Sequence, residues 1–179
     1  MARDRCLLLM VRHPGFVPVK TRLVAAVGPD AARSLYESMV SDALRALLPG
    51  DHDLVVLFDP PGAGEATARW LGPGPLYRPQ HGCDLGERMA SAFAETFEAG
   101  HRQAVLVGSD IPGLDGALAG QAFAGLEGRD AVLGPARDGG YYLIGFNRDA
   151  FLPEAFRDIA WGSSGVRERT LGTLERHGR

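Results

Sequence analysis

"DAVLGPARDGGYYLIGFN", residues 130–147, decides how this chain is built. Two short apolar runs, 130–136 and 141–147, are separated by Arg137, Asp138, Gly139 and Gly140 alone. Near-continuous apolar runs of this length are what strands covered on both faces look like. A parallel neighbour needs a crossover connection of about a dozen residues or more, and four residues cannot supply one. The strand at 141 is therefore not a βαβ partner of its predecessor, and the sheet is predicted to be mixed.

Outward from that stretch the pattern changes. "CLLLMVR" (6–12), "DLVVLFD" (53–59) and "QAVLVGS" (103–109) read as three further buried strands. Between them, residues 28–50 place Ala32, Leu35, Met39, Ala43 and Leu47 on one helical face and end in Pro-Gly. Residues 84–100 form a second helix with Leu85, Met89, Phe93 and Phe97 on one stripe, Asp84 as N-cap and Gly100 as C-cap. Less regular helical patterns cover 115–126 and 163–176, and "PPGAGEA" and "GPGPL" read as turns. Strands alternating with helices imply βαβ units, hence an α/β three-layer αβα sandwich around a mainly parallel, mixed sheet.

At 179 residues the chain is near the size of one domain, expected over 1–179, and can bury roughly 70% of its unfolded surface. A composition of 45% hydrophobic and 23% charged residues with net charge -3 excludes a disordered or strongly basic protein, so nucleic acid is not an expected partner. Cys6 and Cys83 lack the spacing of a zinc site or disulfide framework and read as free thiols. The apolar start of the chain is about six residues, short of the ~7–15 of a signal peptide and the ~18 of a membrane span, which points to the cytoplasm without membrane insertion. Oligomeric state leaves no mark in the sequence.

Open α/β sheets bind ligands beyond the carboxyl ends of their strands. "VLVGSDIPGLDG" (105–116) ends a central strand there with Asp110 facing the crevice, after which Ile111-Pro112 turns the chain away; the competing reading makes Asp110 a cap for the following turn or helix. "VRHPGFVPVKTRL" carries Arg12, Lys20 and Arg22 to the same crevice, "PARDGGYY" carries Asp138 and two glycines, and "PQHGCDLGERM" brings Gly82, Asp84 and a helix N-terminus. Lys20 is the chain's only lysine, in a sequence whose default cation is arginine. Cations, carboxylates and glycine-rich backbone suit a phosphorylated ligand held through a divalent cation. Neither a P-loop nor a dinucleotide fingerprint is present: Val19 precedes the lysine, Pro18 lacks an amide donor, and neither "GAGEAT" nor "GPGPLY" completes G-x-G-x-x-G. No nicotinamide site is indicated, and His13, His52, His81, His101 and His177 show no ligand spacing.

"PVKTRL" (18–23), "DLGERM" (84–89), "GSDIPGL" (108–114), "GPARDGGYYLIG" (134–145) and "WGSSGV" (161–166) together resemble, in order and spacing, a bacterial family of GT-A-type proteins with the nucleotide-diphospho-sugar transferase fold. That fold is similar to those of molybdenum cofactor guanylyltransferase and phospholactate guanylyltransferase. The resemblance implies a metal-dependent transferase acting on a nucleotide or nucleotide sugar, with Mg²⁺ or Mn²⁺ as cofactor. By similarity Asp110 stands at the last acid of an Asp-x-Asp motif, with Gly108 and Ser109 in place of the rest, so a second metal carboxylate comes from elsewhere, Asp138 being the better candidate. Lys20, Asp110 and Asp138 are the catalytic candidates. Arg12, Lys20, Arg22, Gly82 and Asp84 are the nucleotide or phosphate candidates, with surface pairing an equal role for Arg22 and capping the first role for Asp84. Gly139 and Gly140 are expected to admit the transferred group. Trp161 and Ser163 either cover an acceptor pocket or serve as a core aromatic and a helix cap. Glu87 and Arg88 read first as a solvated pair. Relatives carry Pro-Gly where this chain has Phe16-Val17, so the glycine of the loop has moved to Gly15. That erosion favours sugar transfer; nucleotidyl transfer with release of pyrophosphate and a non-catalytic nucleotide-sugar-binding module are the alternatives.

Overall fold

The computed structural model describes residues 3–111 and 113–179. Strands β1 (Arg5–Arg12), β2 (Asp53–Asp59), β3 (Leu76–Pro79), β4 (Gln103–Gly108), β5 (Ala131–Pro135) and β6 (Tyr141–Asn147) form a sheet in the order β3-β2-β1-β4-β6-β5. β1 pairs in parallel with β2 and β4, and β2 with β3. β6 lies between β4 and β5 and is antiparallel to both. The four-residue connection read from the sequence is thus a hairpin. Its tip brings the start of β6 to the edge where the parallel strands end.

Strand alternation builds two cores from one sheet. Leu7, Leu9 and Val11 of β1 point to one side, where α2 (Pro29–Leu47) and α5 (Gly116–Leu126) cover them. Cys6 and Leu8 point to the other, under α4 (Leu85–Glu98) and α6 (Val166–Arg176). Phe93 anchors α4, its ring packed at 5.2 Å from Phe146 and 5.9 Å from Phe156. The three-layer αβα architecture is therefore as expected.

Four details differ from the sequence reading. α2 turns a face one residue further round to the sheet: Ala32, Tyr36, Val40, Ala43, Leu44 and Leu47 are buried, whereas Leu35 is exposed. The reason is polar, since the Tyr36 hydroxyl accepts from the Arg12 amide and meets Ser109 Oγ at 3.2 Å. "PPGAGEA" is more than a turn; it leads into α3 (Gly64–Leu71), and "GPGPL" delivers β3, a four-residue edge strand too short to leave an apolar run. α1 (Thr21–Val27) follows Lys20 and buries none of its residues, so no hydrophobic stripe betrayed it. Pro112, expected to turn the chain away after Ile111, lies outside the described residues.

Candidate functional site

Strand order reverses between β1 and β4, and ligands of open α/β sheets bind at such a reversal. The first groups met beyond those two strands are Lys20 and Asp110. Lys20 Nζ lies 3.2 Å from Asp110 Oδ2, with the lysine side chain 17% exposed and the aspartate 56%. Lys20 also holds φ 49°, a left-handed conformation costly for a residue with a Cβ, at the N-cap of α1. Asp110 is not the cap of the following helix. That position belongs to Asp115, whose Oδ1 accepts from the Leu118 amide at 2.8 Å.

The loop from β1 to α1 offers few amides to a ligand. The Gly15 amide donates to His13 Nδ1, those of Phe16 and Val17 donate to the His13 carbonyl, and Pro14 and Pro18 have none. Its cations must therefore act through side chains. Arg22 is exposed on the first turn of α1 and makes no ion pair among the described residues.

Next to this loop stands a group that sequence reasoning undervalued. Asp59 is buried at the end of β2, with Oδ2 3.5 Å from Arg12 Nε and Oδ1 3.2 Å from Arg88 Nη1. Gln80, also buried, donates to the carbonyls of Val11 and Leu57 and receives a long contact from Arg88. Arg88 is thus a member of this buried network rather than half of a solvated pair with Glu87. Arg12 is tethered by Asp59 with its guanidinium still half exposed. In the sequence Asp59 is only the last residue of a buried run before the turn "PPGAGEA", and the fold shows that it sits between two arginines.

α4 starts in a polar clasp. Asp84 Oδ1 accepts from the Glu87 amide at 2.8 Å and Glu87 Oε2 accepts from the Cys83 amide at 2.7 Å, a capping box displaced by one residue. Asp84 is therefore engaged as the N-cap. Gly82 has φ 140°, and a Cβ on it would fall 2.6 Å from the Arg88 nitrogen, so its place is to seat the loop on the helix start.

On the other side of the reversal, Asp138 closes an Asx turn, its Oδ1 accepting from the Gly140 amide at 3.0 Å. Gly139 has a packing reason of its own. A Cβ there would lie 2.0 Å from the Ser164 carbonyl oxygen, and Gly139 O accepts from the Arg167 amide, so the glycine admits the segment leading into α6. Asp138, Gly140, Trp161 and Ser163 share a cavity of about 290 Å³ that reaches Gly108, two residues before Asp110. Ser163 is not the cap of α6, a position held by Gly165.

The two carboxylates bear on metal binding through their free oxygens. Asp110 is more than half exposed, and Asp138 keeps one oxygen outside its turn. Hard oxygen donors of this kind, one or two with phosphate oxygens completing the shell, fit Mg²⁺ or Mn²⁺. No group of three or more His, Cys, Asp or Glu side chains is assembled among the described residues.

Residues 24–163 match the profile of a family described as "Uncharacterized protein conserved in bacteria (DUF2064)". A crystal structure of a protein from Desulfovibrio desulfuricans G20, provisionally named a nucleotide-diphospho-sugar transferase, is 40% identical, with a TM-score of 0.89 over 98% of this chain and 77% of that one. The 4-diphosphocytidyl-2C-methyl-D-erythritol synthase of Anaerococcus prevotii DSM 20548 is 8% identical, with a TM-score of 0.62 over 99% and 85%. A cytidylyltransferase from Leptospira borgpetersenii is 16% identical, with a TM-score of 0.57 over 95% and 73%. The likeness to these last two is one of fold. No curated protein matches the sequence.

Proposed function

The chain belongs to the bacterial DUF2064 family, and from that premise we propose that it is a transferase acting on a nucleotide-activated substrate, with a nucleotide-diphospho-sugar as donor. The observation that carries this reading is the Lys20–Asp110 pair at the reversal of strand order, a compact ammonium and a hard carboxylate where a diphosphate would lie. Lys20 neutralises charge as the diphosphate departs, with Arg12 and Arg22 as flanking cations. Asp110 would hold Mg²⁺ or Mn²⁺ with diphosphate oxygens in the shell, which supplies charge neutralisation at the leaving group, and the free oxygen of Asp138 is left to the acceptor hydroxyl.

Sugar transfer needs an acceptor hydroxyl to form a bond to the anomeric carbon as the bond from that carbon to the diphosphate oxygen breaks. The electron pair goes to the diphosphate and the hydroxyl proton goes to Asp138. The named relative at 40% identity favours this reading, and so does the β1–α1 loop: its Gly15, Phe16 and Val17 amides are engaged internally and Pro14 and Pro18 have none, which leaves little backbone to cradle a triphosphate. Nucleotidyl transfer is the second reading, favoured by a fold shared with cytidylyltransferases. There an acceptor oxygen attacks the α-phosphorus and pyrophosphate leaves.

A thermal-shift screen of nucleoside triphosphates and nucleotide sugars, with and without Mn²⁺, tests both, because a ligand bound only by the native state raises its melting temperature. A nucleotide sugar should raise it in a Mn²⁺-dependent way, and Asp110→Asn should abolish the metal dependence while melting alone is unchanged. Absence of any shift across the panel would overturn the proposal. The product released, nucleoside diphosphate or pyrophosphate, separates the two readings.

A further inference from the structure

The cavity beside Asp138 has a chemistry of its own. At about 290 Å³ it is near the lower end for small-molecule sites, enough for one ring or two. Met10, Met89, Leu106 and Ile144 form its floor, and Asp138 is the only charged residue in its walls. The Tyr141 hydroxyl is shielded from solvent with the Thr170 hydroxyl as its neighbour, and burial pushes the phenol up to about 12. Trp161 is fixed as a wall, because Gly86 leaves the indole Nε1 at 3.0 Å from where a Cβ would stand, and its ring meets that of Tyr141 at 82° with centroids 6.4 Å apart. At the rim Leu85, on the first turn of α4, is 43% exposed, an apolar side chain left in water at the mouth of an apolar hole.

A sugar or polyol placed here would desolvate several hydroxyls against a mainly apolar wall, where Ser163, Tyr142 and the Trp161 indole are the few polar groups besides Asp138, which is unfavourable. A compound with an apolar body and one hydroxyl would set its ring against the apolar wall and pair its hydroxyl with Asp138. We infer that this cavity receives the acceptor, a compact aromatic or alicyclic alcohol whose ring fills the corner between Trp161 and Tyr141 and whose hydroxyl reaches the free oxygen of Asp138. The acceptor role rests on the transferase reading above; the ligand class rests on the cavity.

Binding of phenol and cyclohexanol to the full chain, without nucleotide, is measured by ligand-observed NMR beside glycerol and methyl α-glucoside. Phenol and cyclohexanol should bind and the two polyols should not. Leu85→Asp should weaken phenol at least fivefold; an acid in the first turn of a helix is favourable, so this variant should keep the parent's melting temperature. Trp161→Leu should weaken it as well, and either variant alone suffices if the other fails to fold. Methyl α-glucoside binding more tightly than phenol, or phenol affinity unchanged in a folded Leu85→Asp, would overturn the inference. Because no nucleotide is present, that failure is read separately from a failure of the nucleotide screen.

Discussion

Lys20 combines two properties that a substitution can separate. Its backbone is left-handed and its ammonium faces Asp110. Lys20→Ala and Lys20→Gly both remove the charge, but only alanine keeps a Cβ in the left-handed region, which costs about 1–2 kcal/mol. Lys20→Gly should therefore be about 1 kcal/mol more stable than Lys20→Ala by urea denaturation, while nucleotide-sugar affinity falls alike in both. Unequal affinities would mean that the backbone at this position, rather than the ammonium, shapes the site. The sequence singled out Lys20 by its rarity and Asp110 by its place after a buried run, and the two are in contact. Asp59 also ends a buried run, but the Pro-Pro-Gly that follows it reads equally as an ordinary turn. Its significance depends on Arg12 and Arg88 closing on it from two different elements, and residue type alone cannot say which arginines converge.

Among the elements, the buried strands, the apolar edge strand β5 and the helices with broad apolar stripes were legible, whereas β3, α1 and α3 were not. β1, β2, β4 and β6 are covered on both faces, so their apolar runs are unbroken. β3 is an edge strand whose Leu76 is exposed and α1 buries nothing, which leaves periodicity nothing to report. α4 shows why an end of a helix is harder to read than its middle. Its core face follows Met89, Phe93 and Phe97, yet Leu85 turns to the cavity mouth and Asp84 to the helix amides. Asp84→Ala should lower stability by about 1 kcal/mol, the usual worth of an N-cap, and Asp84→Ser should restore most of it. Thermal unfolding of both variants checks this. Nucleotide affinity on Asp84→Ser should equal the parent's; a loss there would give the carboxylate a part in binding beyond the cap.

For the molecule as a whole, one buried histidine links folding to pH. His52 is buried, stacked against Phe123 at 5.8 Å, and its Nε2–H donates to the Leu47 carbonyl. Burial holds its pKa below the ordinary 6.5, with the Leu47 hydrogen bond opposing. The unfolded chain therefore binds the proton more readily: the contribution is fully present above pH 6.5 and is lost as pH falls from there through the folded-state value. Parent stability should drop below pH 6.5 with a slope that His52→Asn reduces, by up to about 1.4 kcal/mol per pH unit, measured by urea melts from pH 5 to 8. An equal slope in both proteins would assign the dependence to other groups. The placing of β1 between β2 and β4 carries a different consequence, for synthesis on the ribosome. Lys20 emerges early, in a strained loop, and Asp110 emerges only after more than half of the polypeptide has been made. A nascent chain thus displays its cation with no acid to meet it, and no nucleotide can guide the early stages of folding. If the pair binds a nucleotide as proposed, only a chain extended past Asp110 can be captured by it, and nucleotide supply would then act on the later stages of folding rather than the first.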